Sequence, residues 1–384
     1  MQIVVAPDKF KGSLSAERVA YALTRGARRV HPEAAFHVRP IADGGEGTVD
    51  AFVTALGGRV RDIGVTGPFG DLVTAPIGLL EDGRAIVEMA SASGLVLVTD
   101  PSPAMRASSR GTGELVREAL GIPSVNKIIV GVGGSASTDG GTGAASAIGW
   151  RFLDDRGEEL GAGGGELVRL AHIEPPASGS PPIEVIGACD VDNPLTGARG
   201  AAAIFGPQKG ATPEEVVILA RGLDRLAEVI AADLGRDVST IPSGGAGGGM
   251  GGGLVAFFGA KLRSGFDLLA EVTGLEDEVR AADLVITGEG RFDDQSRGGK
   301  APVAVARLAA QHDIPCVVVA GDLAMERVEW RQLGIEFAVG LAQTGGAERA
   351  GTDPEGAIEI AIAGLLRHRL EKKQGSSLSR RWRP

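Results

Sequence analysis

What most restricts the architecture of this chain is a recurring three-part phrase: a short apolar run, a polar glycine-bearing loop, then an amphipathic stretch. Met1 to Ala6 is apolar, PDKFKGSLS follows, and after Ser15 the apolar residues Val19, Leu23, Ala27 and Val30 share one helical face. Phe36 to Ile41 repeats the strand signal, ADGGEGT the loop and Val49 to Leu56 the helix. Two such units in succession predict parallel strands with helices on the faces of the sheet.

The grammar then changes. Residues 59 to 90 read as extended segments joined by GPFGD and EDGR, the second carrying an Asp82-Gly83 hairpin signal. Beyond them the spacing predicts a helix over Glu114 to Leu120, strands over Lys127 to Val132 and Ile183 to Cys189, and a long helix from Pro213. Thr212, Pro213 and Glu215 form a capping-box start for that helix. From Leu284 the first grammar returns in DLVIT, GEGRFDDQSRGGK, PVAVARLAAQ and PCVVVAGD. The expected fold is therefore α/β: a doubly wound Rossmann-like domain formed by both chain ends, residues 1–68 and 270–384, with an inserted mixed α/β domain over 69–269. Two contiguous domains cut near residue 150 form the competing arrangement.

Composition narrows the class. Sixty of 384 residues are glycine without any Gly-X-Y period, which excludes collagen and favours loops lined by backbone. The tract GGAGGGMGGG holds a G-x-G-x-x-G at Gly247, Gly249 and Gly252, yet no clear strand precedes it. It reads either as a flexible connection between domains or as a loop that lets a nucleotide phosphate approach the backbone. Cys189 and Cys316 lie in apolar runs and read as buried thiols of a reduced compartment. The opening MQIVVAPD has no basic leader, and no run approaches the roughly 20 apolar residues that span a bilayer, so a cytoplasmic protein away from membranes is expected. A net charge of −10 argues against nucleic acid as partner, and the basic end from Arg367 to Pro384 reads as a solvated tail.

In open α/β sheets ligands collect at the carboxyl ends of strands. The loops there hold Asp8, Lys9 and Lys11; Asp43 and Glu46; Ser135, Ser137 and Asp139; Asp190, Asp192 and Asn193; and Glu289, Arg291, Asp293 and Asp294. Carboxylates and glycines with lysine and arginine suit phosphate and Mg²⁺. The five histidines lie outside these loops, so neither a Ser-His-Asp triad nor a histidine metal cage is expected, and no P-loop sequence occurs. Lys9 could neutralise a transferring phosphoryl group, while Asp190 and Asp43 are the candidates to accept the proton of an acceptor hydroxyl.

In this order, APDKFKGSLSA, IADGGEGT, GVGGSASTDGGTG, CDVDNPLTG, TGEGRFDDQS and GKAPVAVA resemble the bacterial glycerate kinase family of the glycerate 2-kinase type, over about residues 1 to 370. The resemblance implies a two-domain α/β enzyme that phosphorylates D-glycerate with Mg²⁺ and ATP, giving 2-phosphoglycerate in a cleft between the domains. It implies Asp190 as the base or acid at the glycerate hydroxyl with Asp43 as a second catalytic carboxylate, and Lys9 on the phosphates. Arg291 would hold the substrate carboxylate, with Gly44, Gly45, Glu46, Asp192 and Asn193 also on the substrate. Gly133, Gly134, Ser135, Ala136 and Ser137 would cradle the nucleotide phosphates, and Glu289 and Asp293 the metal. The expected partners are small molecules alone, with the chain a monomer or homodimer. Two alternatives stand beside this: a kinase for a related hydroxy acid, and a non-catalytic sensor of a small acid or nucleotide.

Overall fold

The computed structural model describes every residue except Lys11, Asp43, 99–103, Ser178, Ser180, 294–300, 345–350 and 381–384. In chain order the strands are β1 (Gln2–Val5), β2 (Ala35–Val38), β3 (Gly58–Thr66), β4 (Leu72–Leu80), β5 (Arg84–Glu88), β6 (Lys127–Gly131), β7 (Arg151–Leu153), β8 (His172–Glu174), β9 (Glu184–Ala188), β10 (Lys261–Arg263), β11 (Leu284–Phe292), β12 (Cys316–Leu323) and β13 (Ile335–Gly340). The α-helices are α1 (Ala16–Arg28), α2 (Thr48–Leu56), α3 (Met89–Ser93), α4 (Arg110–Leu120), α5 (Thr142–Ala147), α6 (Ala201–Phe205), α7 (Pro213–Leu234), α8 (Ala246–Phe258), α9 (Gly265–Thr273), α10 (Leu275–Arg280), α11 (Ala301–Gln311), α12 (Arg327–Gln332) and α13 (Pro354–Arg380). They divide into two compact units, Met1–Ala42 with Leu269–Pro384, and Asp43–Leu268.

The terminal unit is built on a five-stranded sheet in the order β13-β12-β11-β1-β2, with every pairing parallel. Ile3, Val4 and Val5 are buried, as are Val285, Ile286, Val317 and Val318, because parallel strands lie between helical layers. The connection through α1 steps from β1 to β2, and that through α11 steps the other way, from β11 to β12. Right-handed crossovers then put the two helices on opposite faces, and the sheet is doubly wound about a switch point between β1 and β11. Helix α1 starts where the Ser15 hydroxyl accepts from the Arg18 N–H at 3.3 Å. It buries Val19, Leu23 and Ala27 together with Ile358, Ile362 and Leu366 of α13. Gly26 lets those two helices touch, since a Cβ there would stand 2.4 Å from the Glu359 carbonyl oxygen.

The internal unit has a six-stranded mixed sheet, order β10-β9-β6-β5-β4-β3. Strands β3, β4 and β5 form an antiparallel meander whose second turn holds Asp82 and Gly83, whereas β5, β6, β9 and β10 run parallel. Residues 43–66 fall in this unit, where the sequence boundary at 68 had put them with the chain ends. The reason is pairing: β3 bonds along its whole length to β4, and the Val49 N–H of α2 donates to Glu88 Oε1 at 2.6 Å. Helix α7 has its full capping box at Thr212 and Glu215 and stops at Gly235, φ +66°.

Helix α4 begins at Arg110, four residues ahead of the sequence expectation. Gly111 and Gly113 conceal the extra turn. A Cβ at either position would come to 2.1 Å from a carbonyl oxygen, that of Thr66 or of Ala144. Both cysteines are free and buried, and burial pushes both thiols up. Among the described residues no helix is long and apolar enough to cross a membrane.

Candidate active site

Because β5, β6, β9 and β10 are parallel, the loops that follow them leave the internal sheet along one edge. Four sequence-distant motifs meet there. The Gly133 N–H donates to the Gly44 carbonyl at 3.0 Å. A Cβ on Gly44 would lie 2.7 Å from the Ala188 carbonyl oxygen, one on Gly131 2.5 Å from that of Gly44, and one on Gly133 2.7 Å from Gly45 Cα. Gly265 closes the group: its Cβ would stand 2.9 Å from Gly44 N and 3.0 Å from Asp190 Oδ2. These glycines are required by backbone lying on backbone, and they fix Gly44, Gly45, Gly133 and Asp190 as neighbours.

Asp190 faces the start of α9. Its Oδ1 accepts from Ser264 Oγ at 2.7 Å and its Oδ2 from the Phe266 N–H at 3.2 Å. Asp192 and Asn193 are engaged one turn further on: Asp192 Oδ1 accepts from Arg199 Nη2 at 2.8 Å, and Asn193 Nδ2 donates to the Arg199 carbonyl at 2.9 Å. Glu46 is exposed in the loop before α2. Asp43 lies outside the described residues, as do Lys11 and Asp294.

Three features of this edge were not foreseen from sequence. Glu88, at the end of β5, is 3% exposed and substitutes for an N-cap on α2, accepting from the Val49 N–H and from Ser91 Oγ at 2.7 Å. Asp139, a loop carboxylate with a chemical look, is structural. It is fully buried and accepts from Ser109 N and Oγ, both at 2.8 Å, and from the Gly141 and Gly143 N–H groups at 3.2 Å. Lys209 reaches the loop from the turn Pro207–Lys209, and its Nζ donates to Ser135 Oγ at 2.8 Å and to the Ser137 carbonyl. Beside it, Ser137 Oγ and Thr138 Oγ1 are buried without a hydrogen-bond partner among the described residues.

The glycine tract is neither a flexible connector nor an exposed loop. It kinks the start of α8: Gly247, Gly248 and Gly249 are non-helical, at φ +63°, +71° and +94°, and the regular helix follows them. A Cβ on Gly248 would meet the Ser137 carbonyl oxygen at 2.0 Å, and one on Gly253 the Gly140 carbonyl oxygen at 2.4 Å. The tract is glycine because α8 packs its backbone directly under the 133–141 loop.

The terminal unit has its own cluster, at the carboxyl edge beside the switch point between β1 and β11. Asp8 and Glu289 are 7% and 5% exposed, and the Asp8 N–H donates to the Gly288 carbonyl at 2.8 Å. Lys9 follows, its N–H donating to Asp8 Oδ1 at 2.7 Å. Arg291 is exposed, with Nε 3.1 Å from Asp293 Oδ2 and 3.8 Å from Asp322 Oδ2. Among the described residues no three metal-ligating side chains form a group.

The comparisons with known proteins agree with one another. The model of the glycerate kinase family matches residues 3–367. Over 344 residues the chain is 45% identical to the glycerate kinase of Halalkalibacterium halodurans, covering 88% of this chain and 90% of that protein. It is 46% identical over 342 residues to the glycerate 2-kinase of Escherichia coli K12, covering 88% and 89%. A crystal structure of a provisionally assigned glycerate kinase 2 from Salmonella typhimurium LT2 superposes with a TM-score of 0.78 at 41% identity, covering 97% of this chain and 99% of that one.

Proposed function

This chain belongs to the glycerate kinase family, and from that premise we propose that it transfers the γ-phosphoryl group of ATP to the C2 hydroxyl of D-glycerate, giving 2-phosphoglycerate and ADP. The observation that carries the reading furthest is the meeting of Gly44–Gly45, Gly133–Ser137 and Asp190 at one sheet edge, with the hydroxyls of Ser137 and Thr138 buried beside them and unpartnered among the described residues. A glycine-lined loop whose backbone a phosphate can approach, with hydroxyls close by, is the kind of site a polyphosphate takes.

In the proposed reaction Asp190 accepts the proton of the glycerate hydroxyl as its oxygen bonds to the γ-phosphorus. The bond from that phosphorus to the bridging oxygen of ADP breaks, and ADP leaves with the electron pair. Ser264 Oγ and the Phe266 N–H hold the Asp190 carboxylate in one orientation through the step. Lys9 offsets phosphate charge, and Arg291 pairs with the carboxylate of glycerate.

Magnesium, when bound with ATP, neutralises the phosphates as charge shifts between them. It needs only one or two protein carboxylates, and the acids at the switch-point edge of the terminal unit are the hard oxygen donors it prefers. Glu289, buried at the end of β11, and Asp293 are the carboxylates proposed to hold it. Glu289→Gln is expected to raise the Mg²⁺ concentration for half-maximal rate by about tenfold or more; an unchanged requirement removes Glu289 from the metal. The two buried, unbridged thiols support a reducing, cytoplasmic setting.

The deciding assay is direct. Purified protein with Mg²⁺, ATP and D-glycerate is expected to release ADP in step with glycerate consumption, and phosphorus NMR to show the phosphate on C2. ADP release no faster than in a blank without glycerate rejects the reading, and a panel of other hydroxy acids in the same assay separates a related kinase.

A further inference from the structure

Lys209 is a charged group buried where the proposed chemistry has not yet used it. Its side chain is 7% exposed, and among the described residues no carboxylate lies within ion-pair distance of Nζ. Asp139 acts on it only through space, because the Asp139 oxygens are occupied by Ser109, Gly141 and Gly143. The ammonium spends one N–H on Ser135 Oγ and one on the Ser137 carbonyl, which leaves a third unpaired among the described residues. Gly248 adapts to the same place, since a Cβ there would stand 2.7 Å from Nζ. Loop, glycine tract and lysine thus form one packed assembly around an amine that has no ion-pair partner among the described residues. Burial pulls the Lys209 pKa down to about 7, against which the Asp139 charge works weakly.

An isolated buried charge is costly unless something of opposite sign completes it. We propose that Lys209 is a positioning residue for the nucleotide phosphates: it pins Ser135 and Ser137 so that the 133–138 loop faces the polyphosphate, whose charge completes the buried ammonium. The inference rests on the reading that this loop holds nucleotide. It adds a residue that lies outside every motif of the resemblance.

The test uses the full-length protein, with Mg-ADP as the calorimetric ligand. Lys209→Met, close in volume and uncharged, is expected to raise the Kd for ADP and the KM for ATP about tenfold or more while the KM for D-glycerate moves less than about threefold. At pH 8, titrations in two buffers of different ionisation enthalpy are expected to show wild type taking up roughly half a proton more than Lys209→Met on binding. Lys209→Arg, which stays charged, is expected to recover part of the affinity without that uptake. A merely structural lysine would lower the melting temperature without moving proton uptake. Folded Lys209→Met with ADP affinity within twofold of wild type, or equal proton uptake in the two proteins, overturns the inference. Should Lys209→Met fail to fold, Lys209→Gln is read by the same criteria; should that fail too, absence of proton uptake by wild type at pH 8 overturns it. An active wild type with an unaffected variant sinks Lys209 alone, whereas a wild type without glycerate-dependent ADP release sinks the reading beneath it.

Discussion

Asp190→Asn is expected to lower kcat by roughly 100-fold or more, with the KM for ATP within about threefold of wild type. Asparagine keeps the shape of the side chain, and its Oδ1 still accepts from Ser264 Oγ or from the Phe266 N–H. What it loses is the ability to take a proton, so the effect belongs to the chemical step rather than to binding. Ser264→Ala separates orientation from basicity. It removes the 2.7 Å donor to Oδ1 but keeps the carboxylate and the Phe266 N–H, and a loss of about tenfold is expected. Steady-state rates with D-glycerate varied at saturating ATP check both. If Asp190→Asn retains a fifth or more of wild-type kcat, Asp190 is not the proton acceptor.

The parts of this protein that sequence made legible are those encoded locally. Ser15 and the Val19-Leu23-Ala27 face announce α1, and Thr212 with Glu215 announces α7, because caps and helical periodicity are short-range signals. The loops after β6 and β9 were legible for a related reason: parallel strands of one sheet send the loops that follow them to the same edge, so Gly133 and Asp190 could be nominated together, whereas Gly44 follows β2 of the other sheet and only its contacts bring it to them. What stayed hidden depends on pairs far apart in the chain. Lys209 sits in FGPQKGA, an ordinary turn context, and becomes notable only because folding carries it to Ser135, 74 residues away. Glu88 reads as the end of an apolar strand, yet it caps a helix 39 residues earlier. The boundary expected near residue 68 differs from the division between Ala42 and Asp43 because the α2 pattern matches that of α1, and nothing local says on which sheet a helix will lie.

The glycine tract was the least legible segment, and it carries the largest expected effect on stability. Ten residues of nearly pure glycine suggest a hinge, because glycine gains most entropy by unfolding and so disfavours a helix. The structure resolves the paradox by contact. At Gly248 the backbone adopts φ +71° directly against the Ser137 carbonyl, where a Cβ would stand at 2.0 Å. Gly248→Ala therefore combines a left-handed conformation, about 1–2 kcal/mol, with an overpacked backbone contact, typically about 1–3 kcal/mol. The sum, roughly 2–5 kcal/mol, would lower the melting temperature of a unit of this size by on the order of 10 °C. Gly235→Ala isolates the first contribution, since φ is +66° there and nothing lies within 4 Å of the new Cβ. A cost of about 1 kcal/mol is expected at that position. Thermal unfolding of the two variants side by side is the measurement, and equal shifts would mean that the 133–141 loop yields to the added methyl. If it does not yield, Gly248→Ala must displace Ser137 and Lys209 together, so any folded fraction is expected to bind ADP at least tenfold more weakly, whereas Gly235→Ala binds as wild type does.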